Sequence, residues 1–253
     1  MAKFQCNFIS YTLKRAVDVT VIIPSVPFPE AVEMLQSKEQ PRHKKTDKYP
    51  VLYLLHGYGN NHATWTAYTN VEMYAEEQKM AVVMPSAENK FYINHGKEDL
   101  FFDFIEQELP DFVCGMFPVS ERKEDTYLAG LSMGGYGTLL HGLSNPEKYA
   151  ALGAFSAAVM LKDDMPDPLE IAKEQVKKGK ALPKIYLACG KKDFLYEDNL
   201  TFRDEMKALG ADITWEEHPD YGHEWRFWDL QVEAFLNWIK RSDAFAIGKK
   251  WML

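Results

Sequence analysis

The segment Leu128–Gly142 reads LAGLSMGGYGTLLHG and joins an apolar run to a helical pattern through one serine among glycines. Its centre, Gly130 to Gly134, matches G-x-S-x-G, a pattern that places the serine on a strained strand-to-helix turn with its hydroxyl exposed. The two glycines leave room for such a turn and for close helix-to-strand packing. The alternative is that Ser132 only caps a helix, since serine is a preferred N-cap. Two more glycines inside the helix weaken it, which indicates that tertiary proximity requires them and favours the first interpretation.

The rest of the chain alternates short apolar runs with longer helical patterns. Strands that are buried on both faces between crossover helices have this appearance, so we predict an α/β fold with a doubly wound, mostly parallel sheet of eight strands. Two alternating segments near the start predict an antiparallel edge. The predicted strands are Phe4–Leu13, Val17–Ile23, Val51–Leu55, Ala81–Met84, Thr126–Leu131, Ala151–Phe155, Lys184–Ala188 and Ile213–Glu216. The predicted helices between them lie near Glu98–Phe117, Met133–Leu143, Glu197–Leu209 and Trp225–Ile239.

The 253 residues are interpreted as a single domain, because this length is typical of one large α/β core. One segment, Ala157 to Pro183, is too long for an ordinary strand-to-helix connection and contains a charged helical piece. We interpret it as an insert in the position of a lid over the mouth of the sheet.

Composition and charge argue against several classes of function. A formal charge of −8 disfavours binding to nucleic acid or to an anionic membrane surface. No apolar run approaches the ~20 residues needed to cross a bilayer. The start of the chain does not resemble a secretory signal, and the three cysteines are far apart, as expected of buried thiols in a reducing compartment. A cytoplasmic location is therefore predicted.

A nucleophilic serine needs a base, and His223 is the best candidate. It stands in DYGHEWRFW, after the last predicted strand and directly before the last helix. Ligand-binding residues of such sheets follow the strands at their carboxyl ends, which His223 does. His218 is the reserve candidate, while His43 and His141 are weaker because of their positions in a charged loop and inside a helix.

The acid that orients the histidine is predicted to be Asp193. The sequence KIYLACGKKDF gives a strand, a glycine and then the aspartate in the following loop, and the order serine, acid, histidine agrees with the G-x-S-x-G pattern. The alternative acids are placed less well: Asp163, Asp164 and Asp167 in the insert, Asp198 and Asp204 on a helix, and Asp220 close to His223.

An acyl-transfer site also needs N–H donors for the oxyanion. The backbone N–H of Met133 is one by the geometry of the turn. The second is expected from the loop HGYGNN after the strand VLYLL, where Gly57 permits a close backbone approach and Tyr58 supplies the N–H. His56 is interpreted as a histidine that shapes this loop.

No histidine, cysteine or carboxylate spacing indicates a metal site, and no glycine-rich nucleotide motif follows a strand. Three aromatic residues near these loops, Trp65, Tyr92 and Trp225, are candidates for substrate contact together with Gly57. Packing in the core explains each aromatic residue equally well or better, because most aromatic residues are buried.

Five segments together resemble the α/β-hydrolase esterases related to esterase D. They are LLHGYGNNHATW, VVMPS, GLSMGGYG, ACGKKDFLYEDN and YGHEWRFW. That group includes S-formylglutathione hydrolases, tributyrin esterases and feruloyl (cinnamoyl) esterases, and the resemblance covers most of the chain. It implies a serine carboxylesterase with Ser132 as nucleophile, Asp193 as acid and His223 as base. Tyr58 and Met133 are implied as oxyanion donors.

The expected reaction is hydrolysis of a small-molecule ester, short acyl or hydroxycinnamoyl, through an acyl-enzyme on Ser132 and without a cofactor. The alternatives are S-formylglutathione hydrolysis or another thioesterase activity, deacetylation of sugars, acyl transfer to an alcohol, and a binding module without activity. The apolar tail AFAIGKKWML is expected to dock either on its own domain or on a second subunit in a homo-oligomer.

Overall fold

An eight-stranded mixed sheet forms the centre of the protein in a computed structural model that describes residues 1–41, 47–159 and 165–246. Within these ranges the strands, in chain order, are β1 (Ala2–Ser10), β2 (Arg15–Ile23), β3 (Val51–Leu55), β4 (Ala81–Pro85), β5 (Asn94–His95), β6 (Asp99–Leu100), β7 (Thr126–Leu131), β8 (Ala151–Phe155), β9 (Lys184–Gly190) and β10 (Ile213–His218). Strands β5 and β6 form a separate hairpin.

The spatial order of the large sheet is β1-β2-β4-β3-β7-β8-β9-β10. Strands β1 and β2 pair antiparallel, β2 is antiparallel to β4, and all later neighbours are parallel. The predicted α/β fold with an antiparallel N-terminal edge is confirmed. The parallel strands share one carboxyl edge, which is the edge where polar loop residues can meet.

The helices of the described ranges cover both faces of the sheet. They are α1 (Phe28–Gln36), α2 (Thr64–Tyr68), α3 (Val71–Glu77), α4 (Phe101–Asp103), α5 (Leu109–Met116), α6 (Met133–Ser144), α7 (Pro168–Lys177), α8 (Tyr196–Ala208) and α9 (Trp225–Trp238). A π-helical turn, Phe104–Glu108, joins α4 to α5, and a 3₁₀ turn, Lys123–Asp125, precedes β7. The sequence analysis did not predict α2 and α3, which form the crossover from β3 to β4.

The core lies on both faces of the central strands, as the apolar run of β3 illustrates. Its five residues are all buried, and successive side chains enter opposite layers because side chains alternate along a strand. Leu52 and Leu54 pack in the layer that contains α3 and α9, whereas Tyr53 belongs to the layer that contains α5, α6 and α8. Two-sided burial holds the carboxyl ends of the strands in fixed positions.

The charged helix of the segment 157–183 is α7, and it lies beside α6. Tyr136, near the start of α6, donates its hydroxyl to Pro166 O at 2.7 Å, and Gln175, near the end of α7, donates to Ser144 O at 3.1 Å. The two helices therefore run in the same direction, away from the carboxyl edge. The helix is the crossover from β8 to β9, so the lid prediction does not hold for it. Residues 160–164, with Asp163 and Asp164, lie outside the described residues.

Three further sequence expectations concern cysteines, membrane spans and the tail. Cys189 is buried, Cys6 and Cys114 are half-buried, and all three are free thiols, so burial is complete for only one of them.

Across the described ranges, no helix has the length and apolar character that crossing a bilayer requires. Most of the apolar tail, residues 247–253, and also His43 lie outside the described residues.

Candidate active site

Three polar side chains that are far apart in the chain meet at the carboxyl edge of the sheet. Ser132 follows β7 directly and begins α6, Asp193 lies in the loop after β9, and His223 lies between β10 and α9. The structure thus brings together the serine, acid and histidine that the sequence indicated.

The turn at Ser132 has the strained backbone that G-x-S-x-G predicts. Its φ of 53° and ψ of −114° lie in a region that non-glycine residues rarely occupy, at a cost on the order of 1–3 kcal/mol. Hydrogen bonds hold the turn in place: Ser132 N–H donates to Phe155 O at 2.9 Å, and Ser132 O accepts from Tyr136 N–H at 3.0 Å. The side chain makes no capping hydrogen bond, so the hydroxyl remains available for other contacts.

A glycine at position 134 lets α6 pack closely on β3. A Cβ there would lie 2.4 Å from the carbonyl oxygen of Leu55, which is far below a permitted contact. Because this oxygen belongs to backbone, no side-chain rearrangement relieves the clash. The second glycine of the motif is therefore a packing requirement that fixes the start of α6, and with it Ser132.

His223 bridges the other two side chains of this group. Its Nε2 lies 3.0 Å from Ser132 Oγ, and its Nδ1 lies 2.9 Å and 3.1 Å from the two carboxylate oxygens of Asp193. A carboxylate only accepts hydrogen bonds, so Nδ1 carries a proton and donates it to Asp193. In the neutral ring, Nε2 then has a free lone pair directed at the hydroxyl of Ser132.

Asp193 is held as a carboxylate inside the protein, with its side chain fully shielded from solvent. Burial alone would raise its pKa, but hydrogen bonds from His223, from Leu195 N–H and from the Ser156 hydroxyl together hold the pKa below its usual value. The Leu195 contact measures 2.9 Å. The charge of Asp193 is therefore available to stabilise an imidazolium at His223.

Ser156 is a residue of this site that the sequence analysis missed. It is fully buried, follows β8 directly and has a φ of 46°. Its Oγ accepts a hydrogen bond from Trp228 Nε1 at 3.2 Å, so its own proton is free for Asp193. Its position directly after a buried strand, at the same edge as Ser132, was the available signal.

Two backbone N–H groups beside Ser132 have no acceptor in the described part of the chain: those of Met133 and Tyr58. Met133 is the first residue of α6, where an N–H has no helical partner. Tyr58 follows Gly57, at which a Cβ would lie 2.4 Å from a methyl carbon of Leu131. A side chain at position 57 would therefore require Leu131 to change its conformation.

The site opens into a cleft of about 540 Å³. Ser132 and His223 lie in its wall, and Tyr58 and Phe194, which are 62% and 77% exposed, form an aromatic rim. The described residues that line it are Gly57, Tyr58, Asn60, Leu131, Ser132, Phe194, His223, Glu224, Trp225 and Trp228. Among these residues, Glu224 is the only aspartate, glutamate, lysine or arginine.

Of the four candidates for substrate contact, Gly57 and Trp225 line the cleft. Trp65 and Tyr92 are fully buried, as the core interpretation of each anticipated. Trp65 donates its indole N–H to Leu55 O at 3.0 Å, and Tyr92 donates its hydroxyl to His56 O at 2.8 Å. Both residues support the loop after β3 from behind.

Two other histidines, His56 and His218, have structural environments. His56 is buried, which lowers its pKa to about 4. Its Nε2 accepts from Ala87 N–H at 2.9 Å and its Nδ1 donates to Gly57 O at 2.8 Å, so it shapes the loop as interpreted from sequence. His218 contacts the ring of Tyr221 instead of Ser132.

A second cavity, of about 580 Å³, lies away from Ser132 and is lined by Tyr53, Glu106, Cys114 and Lys148, among others. Among the residues that the structure describes, its lining contains no histidine beside a serine or cysteine, so the chemistry favours the smaller cleft. No group of three or more His, Cys, Asp or Glu side chains within residues 1–41, 47–159 and 165–246 is arranged to hold a metal ion.

A doubly wound sheet with a serine on a strained strand-to-helix turn, beside a histidine and an aspartate, defines the class of α/β-hydrolases. The Esterase family model matches residues 37–239. The chain therefore belongs to the Esterase family, and its reaction is the hydrolysis of carboxylic esters.

Relatives agree with this assignment. An acetyl esterase from Caldicellulosiruptor saccharolyticus is 29% identical over 95% of this chain and 99% of its own length. The structure of an S-formylglutathione hydrolase from Staphylococcus aureus has a TM-score of 0.81 and 29% identity, and covers 94% of this chain and 98% of its own. A ferulic acid esterase, with a TM-score of 0.76, 20% identity and coverage of 94% and 97%, has the same fold.

Proposed function

We propose that Ser132 is the nucleophile, His223 the general base and Asp193 the residue that orients and stabilises the imidazole. The observation that carries this proposal is the 3.0 Å contact between His223 Nε2 and Ser132 Oγ, made by a ring whose other nitrogen donates to Asp193. In this tautomer Nε2 can accept the hydroxyl proton without any rearrangement.

The proposed reaction has two halves. As the Ser132 hydroxyl proton moves to His223 Nε2, the serine oxygen bonds to the ester carbonyl carbon, and the N–H groups of Met133 and Tyr58 stabilise the oxyanion. The bond to the alcohol then breaks, and His223 returns the proton to the leaving oxygen. Water repeats these steps on the acyl-enzyme and releases the carboxylic acid and free serine.

The character of the cleft supports an uncharged ester with a short acyl or a hydroxycinnamoyl group. Aromatic side chains dominate the lining, and such surfaces bind acyl or aryl groups. Glutathione carries two carboxylates, and the described lining of the cleft presents a further carboxylate, that of Glu224. No lysine or arginine from the described ranges joins the lining, so S-formylglutathione is the weaker candidate.

The test is Ser132→Ala assayed with p-nitrophenyl acetate and butyrate. We expect loss of hydrolysis and of fluorophosphonate labelling, with the melting temperature retained. Hydrolysis at the wild-type rate by this variant would overturn the proposal.

A substrate panel tests the choice of ester. The panel compares kcat/KM at equal enzyme concentration for methyl ferulate, the two p-nitrophenyl esters and S-formylglutathione. We expect kcat/KM for the best uncharged ester to exceed that for S-formylglutathione by at least about tenfold, a difference worth about 1.4 kcal/mol. The reverse order would assign the enzyme to thioester hydrolysis with the same three residues.

A cytoplasmic location belongs to this proposal. It is supported by three free cysteines, which are expected where disulfides do not form. Cell fractionation with an antibody to the protein would test it.

A further inference from the structure

The loop after β3, which carries the Tyr58 N–H, is held by a second loop, residues 86–92. Four hydrogen bonds join them, one from His62 N–H to Ser86 Oγ at 3.1 Å and three close to Tyr58. Ala87 N–H donates to His56 Nε2 at 2.9 Å, the Tyr92 hydroxyl donates to His56 O at 2.8 Å, and Gly59 N–H donates to Asn89 Oδ1 at 2.7 Å. The position of the Tyr58 N–H thus depends on the 86–92 loop.

The 86–92 loop does not have a relaxed backbone of its own. Glu88, Phe91 and Tyr92 have φ values of 50°, 51° and 60°. Such values are uncommon for residues with side chains, and for bulky residues they persist only where the surroundings impose them. A restraint on this loop must therefore come from elsewhere in the fold.

One such restraint is a buried chain of contacts that begins at Tyr92. His141, fully buried in α6, donates from Nε2 to Tyr92 O at 2.9 Å. Its Nδ1 lies 2.7 Å from Glu106 Oε1 in the π-helical turn. Glu106 also accepts from Lys148 Nζ at 2.8 Å and from the Tyr149 hydroxyl at 3.0 Å.

The proton positions in this chain follow from the chemistry of the partners. A carbonyl oxygen only accepts, so His141 Nε2 carries a proton and donates it to Tyr92 O. Burial would raise the pKa of Glu106, but its bonds to His141 and Lys148 hold the pKa below its usual value, which keeps it a carboxylate. This carboxylate lies against Nδ1 of His141 and fixes the ring that holds the carbonyl of Tyr92.

We propose that His141 and Tyr92 are positioning residues for the oxyanion-binding N–H of Tyr58, acting through the 86–92 loop. The inference rests on the proposed function of Tyr58. It gives a role to a histidine that lies inside α6, does not contact Ser132 in the structure and was a weak candidate for the base. It also gives a role to Tyr92, which supports the site from the core without lining the cleft.

The experiment compares two buried tyrosines. Tyr92→Phe removes the hydroxyl that donates to His56 O, and Tyr136→Phe removes a hydroxyl that donates to Pro166 O at 2.7 Å while it keeps the ring that packs on Phe91. Each variant loses one buried hydrogen bond to a backbone carbonyl, so their melting temperatures should fall by similar amounts. Only the first should alter the position of the Tyr58 N–H.

For Tyr92→Phe we expect kcat for p-nitrophenyl butyrate to fall about tenfold with KM within about twofold, since a misplaced oxyanion donor acts on the transition state. Binding of a trifluoromethyl ketone, which forms an oxyanion on the nucleophile, should weaken by a similar factor. Tyr136→Phe should keep both values within about twofold of wild type. A kcat within twofold of wild type for Tyr92→Phe would overturn the inference.

A second pair of variants, at the exposed Asn89, tests the inference at a surface position where a substitution is not expected to unfold the protein. Asn89→Ala removes the acceptor for Gly59 N–H, whereas Asn89→Asp keeps an oxygen there. We expect kcat to fall for the alanine variant and to be retained by the aspartate variant; equal rates would contradict the inference. Because wild-type activity and its loss in Ser132→Ala are measured in the same series, failure of the proposed function is distinguished from failure of this inference.

Discussion

The indole N–H of Trp228, a residue of the cleft lining, donates to the buried hydroxyl of Ser156 at 3.2 Å. An indole only donates, so this contact fixes the orientation of the serine and leaves its proton for Asp193. The carboxylate proposed to act on His223 is thereby held by a residue that follows a neighbouring strand.

Removal of the Ser156 hydroxyl is therefore expected to reduce activity. We expect Ser156→Ala to lower kcat/KM about tenfold, because Asp193 loses a hydrogen-bond donor of a kind worth ~1.5–3 kcal/mol when the acceptor is charged. The measurement is steady-state hydrolysis of p-nitrophenyl butyrate with circular dichroism as the check of folding.

The control for this prediction is Ser156→Gly. Glycine adopts the φ of 46° without strain, so this variant should be more stable than the alanine variant while losing the same activity. Recovery of activity in the glycine variant would mean that backbone strain, and not the hydroxyl, accounts for the loss.

Asp193→Asn is expected to lower kcat by ~10³–10⁴-fold while the protein stays folded. An amide in place of the carboxylate favours the wrong tautomer of His223 and does not stabilise the imidazolium. Asp220→Asn is the matched control, since Asp220 is exposed and pairs with the exposed Lys192 at 3.5 Å. A loss of comparable size at Asp220, with little effect at Asp193, would show that the acid is misassigned.

Stability should depend on pH through His56. Its pKa is about 4 in the folded protein, mainly because of burial, against 6.5 for the free group. Between pH 6.5 and pH 4 the unfolded chain binds a proton that the folded protein does not, so stability is lost as the pH falls through this range. The 2.5-unit difference corresponds to about 3 kcal/mol.

Urea unfolding at a series of pH values measures this dependence. The matched variant is His56→Gln, which has no titrating group at the position. Whatever its absolute stability, its unfolding free energy should change less between pH 6.5 and pH 4 than that of wild type. Parallel curves for the two proteins would contradict the prediction.

Two glycine substitutions in helices should have opposite effects. Gly134→Ala places a Cβ 2.4 Å from Leu55 O and should disrupt the turn at Ser132, with loss of activity and a large loss of stability. Gly115→Ala, on an exposed face of α5 with no atom within 4 Å of the new Cβ, should stabilise by about 0.5–1 kcal/mol. Thermal unfolding and ester hydrolysis distinguish the two, and a folded, active Gly134→Ala protein would refute the packing argument.

Much of the sheet was predictable because its strands are buried on both faces. The runs Val51–Leu55, Thr126–Leu131 and Ala151–Phe155 were predicted with the bounds that the structure shows. The crossover from β3 to β4 was missed because α2 and α3 are short, with five and seven residues, and carry few apolar positions each. Helices of this length give little periodicity and depend on packing against the sheet.

The grouping of Ser132, Asp193 and His223 was predictable from position, since each follows a strand at the same edge. The contacts of Ser156, Tyr92 and His141 could not be predicted from the sequence, because they depend on which side chains face one another across the sheet and across two loops. The lid interpretation failed for α7 because length and charge indicate a surface segment but do not show whether it covers the mouth or returns along the sheet.

His223 lies next to β10, the half-buried strand at one edge of the sheet, whereas Ser132 follows a central strand. Edge elements open locally at a lower free energy than central ones. Enzymatic activity therefore reports on the docking of the last part of the chain. On gentle heating or in low urea, inactivation should precede the loss of secondary structure, and amide hydrogen exchange should be faster in β10 than in β7.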